Sequence, residues 1–288
     1  MNRRTFLGAA AAAAAPLPAQ IQRQRGTRLR IALNAYSFNR PLTAGTMKLD
    51  DVIDYCAAHE VDGVDLTGYY FPGYPAVPSD EFLYAIKKRA YLNGVTISGT
   101  GVRNDFTKPD GAARKQDIQL VKDWTEAARK MGAGFIRVFS GPRMPEGHTF
   151  DQVLEWMIPA FKECAEHGRR NGVIIGLQHH DDFLKTAEQT IQVVKAVNSE
   201  WFHVVLDVGS LRQGDPYAEI EKLLPYACTW QVKEQVWRGE KAEPIDLAKL
   251  RGIIDRSGYR GFLPFEALGS GDPAVVTAFL EKVKKAMG

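Results

Sequence analysis

The stretch VIIGLQ at residues 173–178 is a short apolar run that ends in a polar side chain. The same pattern returns three times towards the C terminus, in VVLD at 204–207, CTWQ at 228–231 and FLPFE at 262–266. The terminal polar residues are 29, 24 and 35 positions apart, about the length of one strand, one loop and one helix. A (β/α)8 barrel brings the ends of successive strands to one mouth in this way, so the pattern predicts that fold.

The rest of the chain alternates strand-like and helix-like segments in the same way. Short apolar segments predict buried parallel strands, and the amphipathic segments between them predict helices. The fold class is therefore α/β, a single (β/α)8 TIM barrel at residues 29–288, since no glycine-rich turn after the first strand favours a dinucleotide fold. The predicted strands are 30–36, 63–66, 95–99, 135–139, 173–178, 203–207, 229–233 and 261–266. The predicted helices are 49–59, 79–93, 113–131, 151–171, 185–197, 216–224, 246–257 and 273–286.

Residues 1–19 have the pattern of a twin-arginine signal peptide. Arg3 and Arg4 precede a short alanine-rich stretch, and the small residue Ala19 suits peptidase cleavage. A disordered alanine-rich extension is the alternative. The signal interpretation predicts export, to the periplasm or otherwise out of the cytoplasm, and residues 20–28 then form a polar tether before the first strand.

Charge and cysteine content narrow the function classes. The formal net charge of +3 falls to +1 without residues 1–19, because that segment holds two arginines and no acidic residue. A nearly neutral chain lacks the electrostatic footprint expected for a nucleic-acid or anionic-membrane partner. Its three cysteines do not indicate a disulfide framework or a zinc site.

The four polar residues that end the quoted strands form the candidate site. Their carboxylate and amide oxygens suit a hard divalent cation, Mg²⁺ or Mn²⁺. Strand ends capped by polar residues without a metal are the alternative. The proposed ligands are Gln178, Asp207, Gln231 and Glu266.

These four strand ends resemble the xylose-isomerase-like barrels, which include sugar isomerases and epimerases. The resemblance implies metal ligands of the order Glu, Asp, His and Glu at the ends of strands five to eight. This chain keeps Asp207 and Glu266 but has Gln178 and Gln231 at the other two positions. The family's epimerases use two carboxylates to move one proton, and an amide cannot replace a carboxylate in that role.

Two nearby residues could supply the missing proton-transfer group beside Glu266. His180 shares a strand face with Gln178, and imidazole is a common proton-transfer group, although this residue could merely hydrogen-bond the substrate or Asp182. Lys233 shares a face with Gln231 and could stabilise an enolate oxygen or act as a base, although an ion pair with Asp207 or Glu266 is the simpler role. The predicted catalytic residues are Glu266, His180 and Lys233.

Residues from the first strands and one loop after strand seven are expected to bind the substrate. Sugars stack their C–H faces on aromatic rings, and polar side chains reach their hydroxyl groups. The aromatic residues could equally form the interface of a homo-oligomer. On strand four, Arg137 is expected to pair with Asp65 in a structural role. The predicted substrate-binding residues are Asn34, Tyr36, Tyr70, Trp237 and Arg238.

Together these features predict a metal-assisted, isomerase- or epimerase-like enzyme. It would remove a proton beside a carbonyl of a sugar, cyclitol or keto-glycoside. Because the same enolate can expel a β-substituent, a lyase or dehydratase is one alternative, and a non-catalytic sugar-binding barrel is another. The small number of histidines at the strand ends and the near-neutral charge argue against a DNA-repair endonuclease of the same barrel type.

Overall fold

A computed structural model describes residues 20, 21, 23, 26–180 and 183–288 of the chain. The predicted signal peptide at residues 1–19 and part of the predicted tether lie outside these residues. Eight parallel strands close into a barrel in the order β1-β2-β3-β4-β5-β6-β7-β10. The predicted (β/α)8 barrel is thereby confirmed. No helix of the described residues is both long and apolar enough to cross a membrane.

The barrel strands agree with the predicted segments to within a few residues at each end. They are short and almost wholly buried, as strands covered on both sides must be. Their bounds are β1 Arg28–Asn34, β2 Gly63–Thr67, β3 Thr96–Gly101, β4 Phe135–Phe139, β5 Ile174–Gln178, β6 Phe202–Asp207, β7 Ala227–Lys233 and β10 Arg260–Glu266.

The helices surround the barrel and bury their apolar faces against it. Ser79 and Asp246 cap the N termini of α3 and α8, as their side-chain chemistry predicts. Gly172 and Gly258 end α5 and α8 with φ values of 68° and 67°. The bounds are α1 Asn39–Thr43, α2 Leu49–Ala58, α3 Asp80–Leu92, α4 Gly111–Met131, α5 Phe150–Asn171, α6 Ala187–Val197, α7 Pro216–Leu223, α8 Leu247–Ser257 and α9 Pro273–Met287.

Helix α1 and one β-hairpin were not predicted. The short helix α1 follows β1, and an antiparallel hairpin of β8 (Gln235–Arg238) and β9 (Lys241–Pro244) is inserted between β7 and α8. Each of these helices and strands is only four or five residues long, which is too short for a periodic apolar pattern to develop. The hairpin carries Trp237 and Arg238, two of the predicted substrate-binding residues.

Parallel pairing brings the C-terminal strand ends to one mouth. Asp207 on β6 lies opposite Gln231 on β7, and Glu266 on β10 lies opposite Lys233 on β7. The register therefore assembles four of the predicted site residues from three adjacent strands. Because Gln178 ends β5, the next strand along, it joins the same group.

Candidate active site at the barrel mouth

A cavity of about 560 Å³ opens at the C-terminal mouth of the barrel. A volume of this size suits a small-molecule ligand. Strand ends β1, β4, β5, β7 and β10 contribute to its wall, together with the loop after β3. Seven of the predicted site residues line it: Asn34, Tyr36, Gln178, His180, Gln231, Lys233 and Glu266.

Asp207 is the centre of a buried hydrogen-bond network beside this cavity. Its Oδ2 accepts from Gln178 Nε2 at 2.7 Å, from Lys233 Nζ at 2.8 Å and from Ser210 Oγ at 2.8 Å. Its Oδ1 accepts from the backbone N–H of Gly209 at 3.0 Å. Burial alone would raise the pKa of Asp207, but the charge of Lys233 and the neighbouring histidines hold it at about 2. Asp207 is therefore a fixed anion.

Lys233 lies between the two buried carboxylates. Its Nζ is 2.8 Å from Asp207 Oδ2 and 3.6 Å from Glu266 Oε1, which confirms the predicted ion pair. Burial opposes the charged form of Lys233, yet the two carboxylates raise its pKa above the usual range. The lysine thus remains an ammonium at neutral pH, so its position favours electrostatic stabilisation over the role of a base.

Glu266 makes far fewer polar contacts than Asp207 within the described part of the chain. Within the described part of the chain, its carboxylate makes one ion contact, the 3.6 Å approach to Lys233. Burial raises the pKa of Glu266, the positive charge of Lys233 lowers it, and the negative charge of Asp207 raises it further. The net shift is upward. A carboxyl group with a raised pKa and few hydrogen bonds is suited to exchanging a proton.

Gln231 supplies an unpaired oxygen to the same site. Its Oε1 is buried and has no hydrogen-bond partner among the described residues. An orphaned carbonyl oxygen beside two carboxylates fits a cation, so the oxygen donors present are compatible with a divalent metal. Lys233 already occupies the space between the carboxylates, and the described residues hold no group of three His, Cys, Asp or Glu side chains placed as metal ligands. The oxygen donors of the site thus favour a bound metal, whereas the ammonium group of Lys233 competes with it.

The two histidines after β5 point in different directions. His180 is exposed, lines the cavity and packs edge-on against Phe139, with 5.5 Å between the ring centroids. His179 is buried, and its Nε2 accepts a 3.2 Å hydrogen bond from the backbone N–H of Asp207. Burial lowers the pKa of His179 to about 4, so it is neutral. Side-chain alternation along a strand predicts this difference, which leaves His179 a structural role.

On the opposite side of the barrel, Asn34 connects the first two strands. Its Nδ2 donates to Asp65 Oδ2 at 3.2 Å, and its Oδ1 accepts from the backbone N–H of Tyr36 at 2.8 Å. Tyr36 follows it into the cavity wall. Burial raises the pKa of Asp65 to about 6, against the opposing effect of Arg137. Asn34 therefore positions Tyr36 and also borders the ligand space.

Arg137 does not make the contact that was expected of it. No carboxylate of the described residues, Asp65 included, lies within the 4 Å of an ion pair with its guanidinium, so the predicted pair with Asp65 is wrong. Arg137 instead lines the cavity, as does Arg103 from the loop after β3. A charged residue in the otherwise apolar strand FIRVF was the available signal for Arg137. Arg103 had no distinguishing signal.

Three predicted substrate-binding residues do not line the cavity. Tyr70 Oη donates to Asn39 Oδ1 at 2.7 Å. Trp237 packs under Arg212, whose guanidinium carbon is 3.9 Å from the ring centroid. Arg238 pairs with Asp215 at 2.8 Å and with Glu243 at 3.1 Å. These contacts hold the three side chains in the loops around the mouth.

Residues 53–285 match the family model described as the xylose isomerase-like TIM barrel. The match covers most of the chain and includes every strand from β2 to β10. The chain belongs to the xylose isomerase-like TIM barrel family. No curated protein sequence matches it.

Several solved structures share this barrel. D-psicose 3-epimerase from Clostridium cellulolyticum H10, solved with D-tagatose, is 16% identical, with a TM-score of 0.75 over 90% of this chain and 99% of that one. The IOLI protein with a bound zinc atom is 16% identical, with a TM-score of 0.71 over 90% and 98%. The probable 3-DHS dehydratase AsbF from Bacillus anthracis is 15% identical, with a TM-score of 0.68 over 88% and 98%. At identities this low, the structural similarity establishes the shared fold alone.

Proposed function

We propose that this xylose isomerase-like barrel is an isomerase- or epimerase-like enzyme. It removes and returns a proton beside a carbonyl of a sugar, cyclitol or keto-glycoside. The observation that carries the proposal is the Asp207–Lys233–Glu266 group at the edge of a cavity of about 560 Å³. The likeness to a sugar epimerase of the same fold supports it.

The chain's own residues divide the chemistry among them. Glu266, with its raised pKa, takes the proton from the substrate carbon and returns it. His180, exposed in the same cavity, is the second proton-transfer group and stands in for the carboxylate that Gln178 lacks. The Lys233 ammonium stabilises the oxygen on which negative charge develops. Asn34 and Tyr36, at the end of the neighbouring strand β1, bind substrate hydroxyl groups.

A divalent cation, Mn²⁺ or Mg²⁺, is the proposed cofactor. Gln178, Asp207, Gln231 and Glu266 would hold it, and the unpaired Gln231 Oε1 is the observation that favours it. When bound, such a cation would polarise a carbonyl and its adjacent hydroxyl group. Bound zinc in the IOLI protein of the same fold supports a metal of this charge.

A lyase acting on a keto-sugar through the same enolate is the second candidate function. The observation that favours it is Gln178, whose amide Nε2 is committed to Asp207 at 2.7 Å and cannot return a proton to the opposite face of the substrate. The fold is also that of a probable dehydratase, AsbF. Elimination requires only one proton acceptor at the substrate carbon, which Glu266 supplies.

Solvent exchange tests the proposal. Keto-sugars, inososes and keto-glycosides are incubated with the protein in D₂O, and deuterium incorporation beside the carbonyl is followed by NMR. An isomerase or epimerase incorporates deuterium into substrate and product, whereas a lyase releases an unsaturated product. A barrel that binds these compounds without exchange or turnover would instead be the non-catalytic sugar-binding protein.

The proposed site of action is outside the cytoplasm. The twin-arginine pattern at Arg3 and Arg4 supports export of the folded enzyme. Replacing both arginines with lysine is expected to retain the precursor in the cytoplasm with its barrel intact. Unchanged delivery of the double variant to the periplasm would contradict this.

A further inference from the structure

Arg137 is a buried cation whose hydrogen-bonding capacity is mostly unused. Only 3% of the residue is exposed, and it lines the cavity. Among the described residues, its guanidinium makes one hydrogen bond, a long one of 3.5 Å from Nη1 to the carbonyl oxygen of Val102. A guanidinium carries five N–H donors, and the donors of Arg137 that make no hydrogen bond to the described residues face the cavity. The unmet donors therefore indicate a ligand group with acceptor oxygens.

The fold holds this guanidinium in a defined place. A Cβ atom on Gly101 would lie 2.7 Å from Arg137 Nε and Nη2, so the absence of a side chain there makes room for the group. On the other side, the Phe139 ring centroid is 4.4 Å from the guanidinium carbon. The space left by Gly101 and the ring of Phe139 together hold the Arg137 guanidinium at the cavity wall.

A second guanidinium approaches the same aromatic ring as the first. The Arg103 guanidinium carbon is 4.2 Å from the Tyr69 ring centroid, and that of Arg137 is 5.8 Å from the same centroid. No hydrogen bond or ion pair from the Arg103 side chain to another described residue is present, and the residue lines the cavity. By contrast, Lys108 in the same cavity is paired with Asp117 at 2.6 Å. The two arginines thus differ from the lysine in having no carboxylate partner in the described part of the chain.

The two buried carboxylates on which Arg137 acts electrostatically each have another donor close by. Asp65 accepts from Asn34 at 3.2 Å, and Glu266 approaches Lys233 at 3.6 Å. The charge of Arg137 lowers the pKa of both carboxyl groups, but neither of them forms an ion pair with it. Arg137 lies on β4, which is diametrically opposite β10 in the barrel order, so a bound ligand could span the space between the arginine wall and Glu266.

We propose that Arg103 and Arg137 bind an anionic group of the substrate, which makes the substrate an acidic sugar that carries a carboxylate or a phosphate. The planar fork of a guanidinium matches two oxygens of such a group. The anion would anchor one end of the sugar at β4 and present its carbonyl end to Glu266. The inference rests on the proposed function, since it assigns the substrate class of the same cavity.

Matched ligands test the proposal by isothermal titration calorimetry. D-Gluconate and D-sorbitol differ only in a carboxylate against a hydroxymethyl group, and D-sorbitol 6-phosphate carries the alternative anion. We expect the intact protein to bind one of the two anions at least about 10-fold more tightly than sorbitol, as charge-assisted hydrogen bonds require. The tighter of the two anions identifies the source of the charge.

Variants identify the residues responsible. Arg137→Gln should abolish the preference for the anion, and Arg103→Gln should reduce it. Lys108→Met removes a paired positive charge from the same cavity and should leave the preference unchanged. Because Arg103 is exposed, its variant remains informative if Arg137→Gln does not fold.

Several results would overturn the inference. These are equal binding of sorbitol and both anions, no measurable binding of either anion, retained preference in folded Arg137→Gln together with Arg103→Gln, or an equal loss of preference in Lys108→Met. The solvent-exchange experiment keeps the two proposals distinguishable. Arginine-dependent anion binding without exchange would support an anion site at Arg103 and Arg137 and overturn the enzyme function, whereas exchange on neutral sugars alone would support the enzyme function and overturn the acidic substrate.

Discussion

The two sides of the barrel mouth handle charge in opposite ways. On the side of β5, β6, β7 and β10, Asp207 accepts four hydrogen bonds, and Lys233 contacts two carboxylates. On the side of β3 and β4, Arg103 and Arg137 face the cavity without a carboxylate partner in the described structure. On the first side the carboxylates are paired with Lys233, and on the second the guanidinium groups are left to bind a ligand.

This difference indicates a division of labour between chemistry and recognition. Groups that develop or stabilise charge during a reaction need a preorganised environment, which a closed hydrogen-bond network provides. Groups that bind a ligand need donors left without internal partners. The predictions below perturb the two sides separately.

The largest expected effect concerns proton transfer on the side of the closed network. His180→Ala and Glu266→Gln should each lower turnover by about 10²- to 10⁴-fold, the usual contribution of general acid–base catalysis. His148→Ala, a histidine outside the cavity, is the matched control. Steady-state kinetics and deuterium exchange measure the effect. Undiminished exchange in His180→Ala would make that histidine a bystander.

The second effect is on stability. Asp207→Ala removes the acceptor of four donors and leaves Lys233 buried with only the 3.6 Å contact to Glu266. We expect a loss of about 3–5 kcal/mol in the free energy of unfolding, measured with urea. Glu243→Ala breaks the exposed pair with Arg238 and should cost about 1 kcal/mol or less. Similar losses in both variants would contradict the central place of Asp207.

The third prediction concerns the pH dependence of Asp65 on β2, the strand that pairs with β3 of the recognition side. Because the pKa of Asp65 is raised to about 6, the folded protein favours its protonated form, and Asp65 contributes less stability as pH rises from about 4 to about 6. Asp65→Asn should remove this dependence. The variant should therefore gain stability relative to the wild-type protein across that window, by at most about 3 kcal/mol. Urea unfolding at several pH values checks this, and a difference independent of pH would contradict it.

The smallest expected effect concerns the binding of a divalent cation at the hydrogen-bond network around Asp207. Lys233→Met removes the ammonium that lies between two proposed metal ligands and should tighten Mn²⁺ binding by about 10-fold, or about 1.4 kcal/mol. Calorimetric titration measures it, with Lys108→Met as the control. In the same assay, Asp207→Ala should lose more affinity than Gln231→Ala, since a carboxylate supplies charge and an amide only a dipole. Unchanged or weaker binding in Lys233→Met would show that the lysine does not compete with the metal.

Local sequence patterns were sufficient for the barrel and for part of its site. Eight apolar strands separated by amphipathic helices leave few alternative folds, and parallel pairing sends each strand end to the same mouth. The alternation of side chains along a strand also separated cavity-lining His180 from buried His179. These features depend on periodicity and strand direction, which are local properties of the chain.

Contacts between distant segments decided the rest. Tyr70 is held by Asn39, and Arg238 by Asp215, partners that are 31 and 23 positions away along the chain. The same is true of Lys233, whose position between Asp207 and Glu266 depends on the register of three strands. The sequence by itself determined the barrel and which residues end its strands. Only the tertiary structure decided which charges neutralise one another and which remain available to a ligand, because that depends on distances of a few ångströms between separate elements.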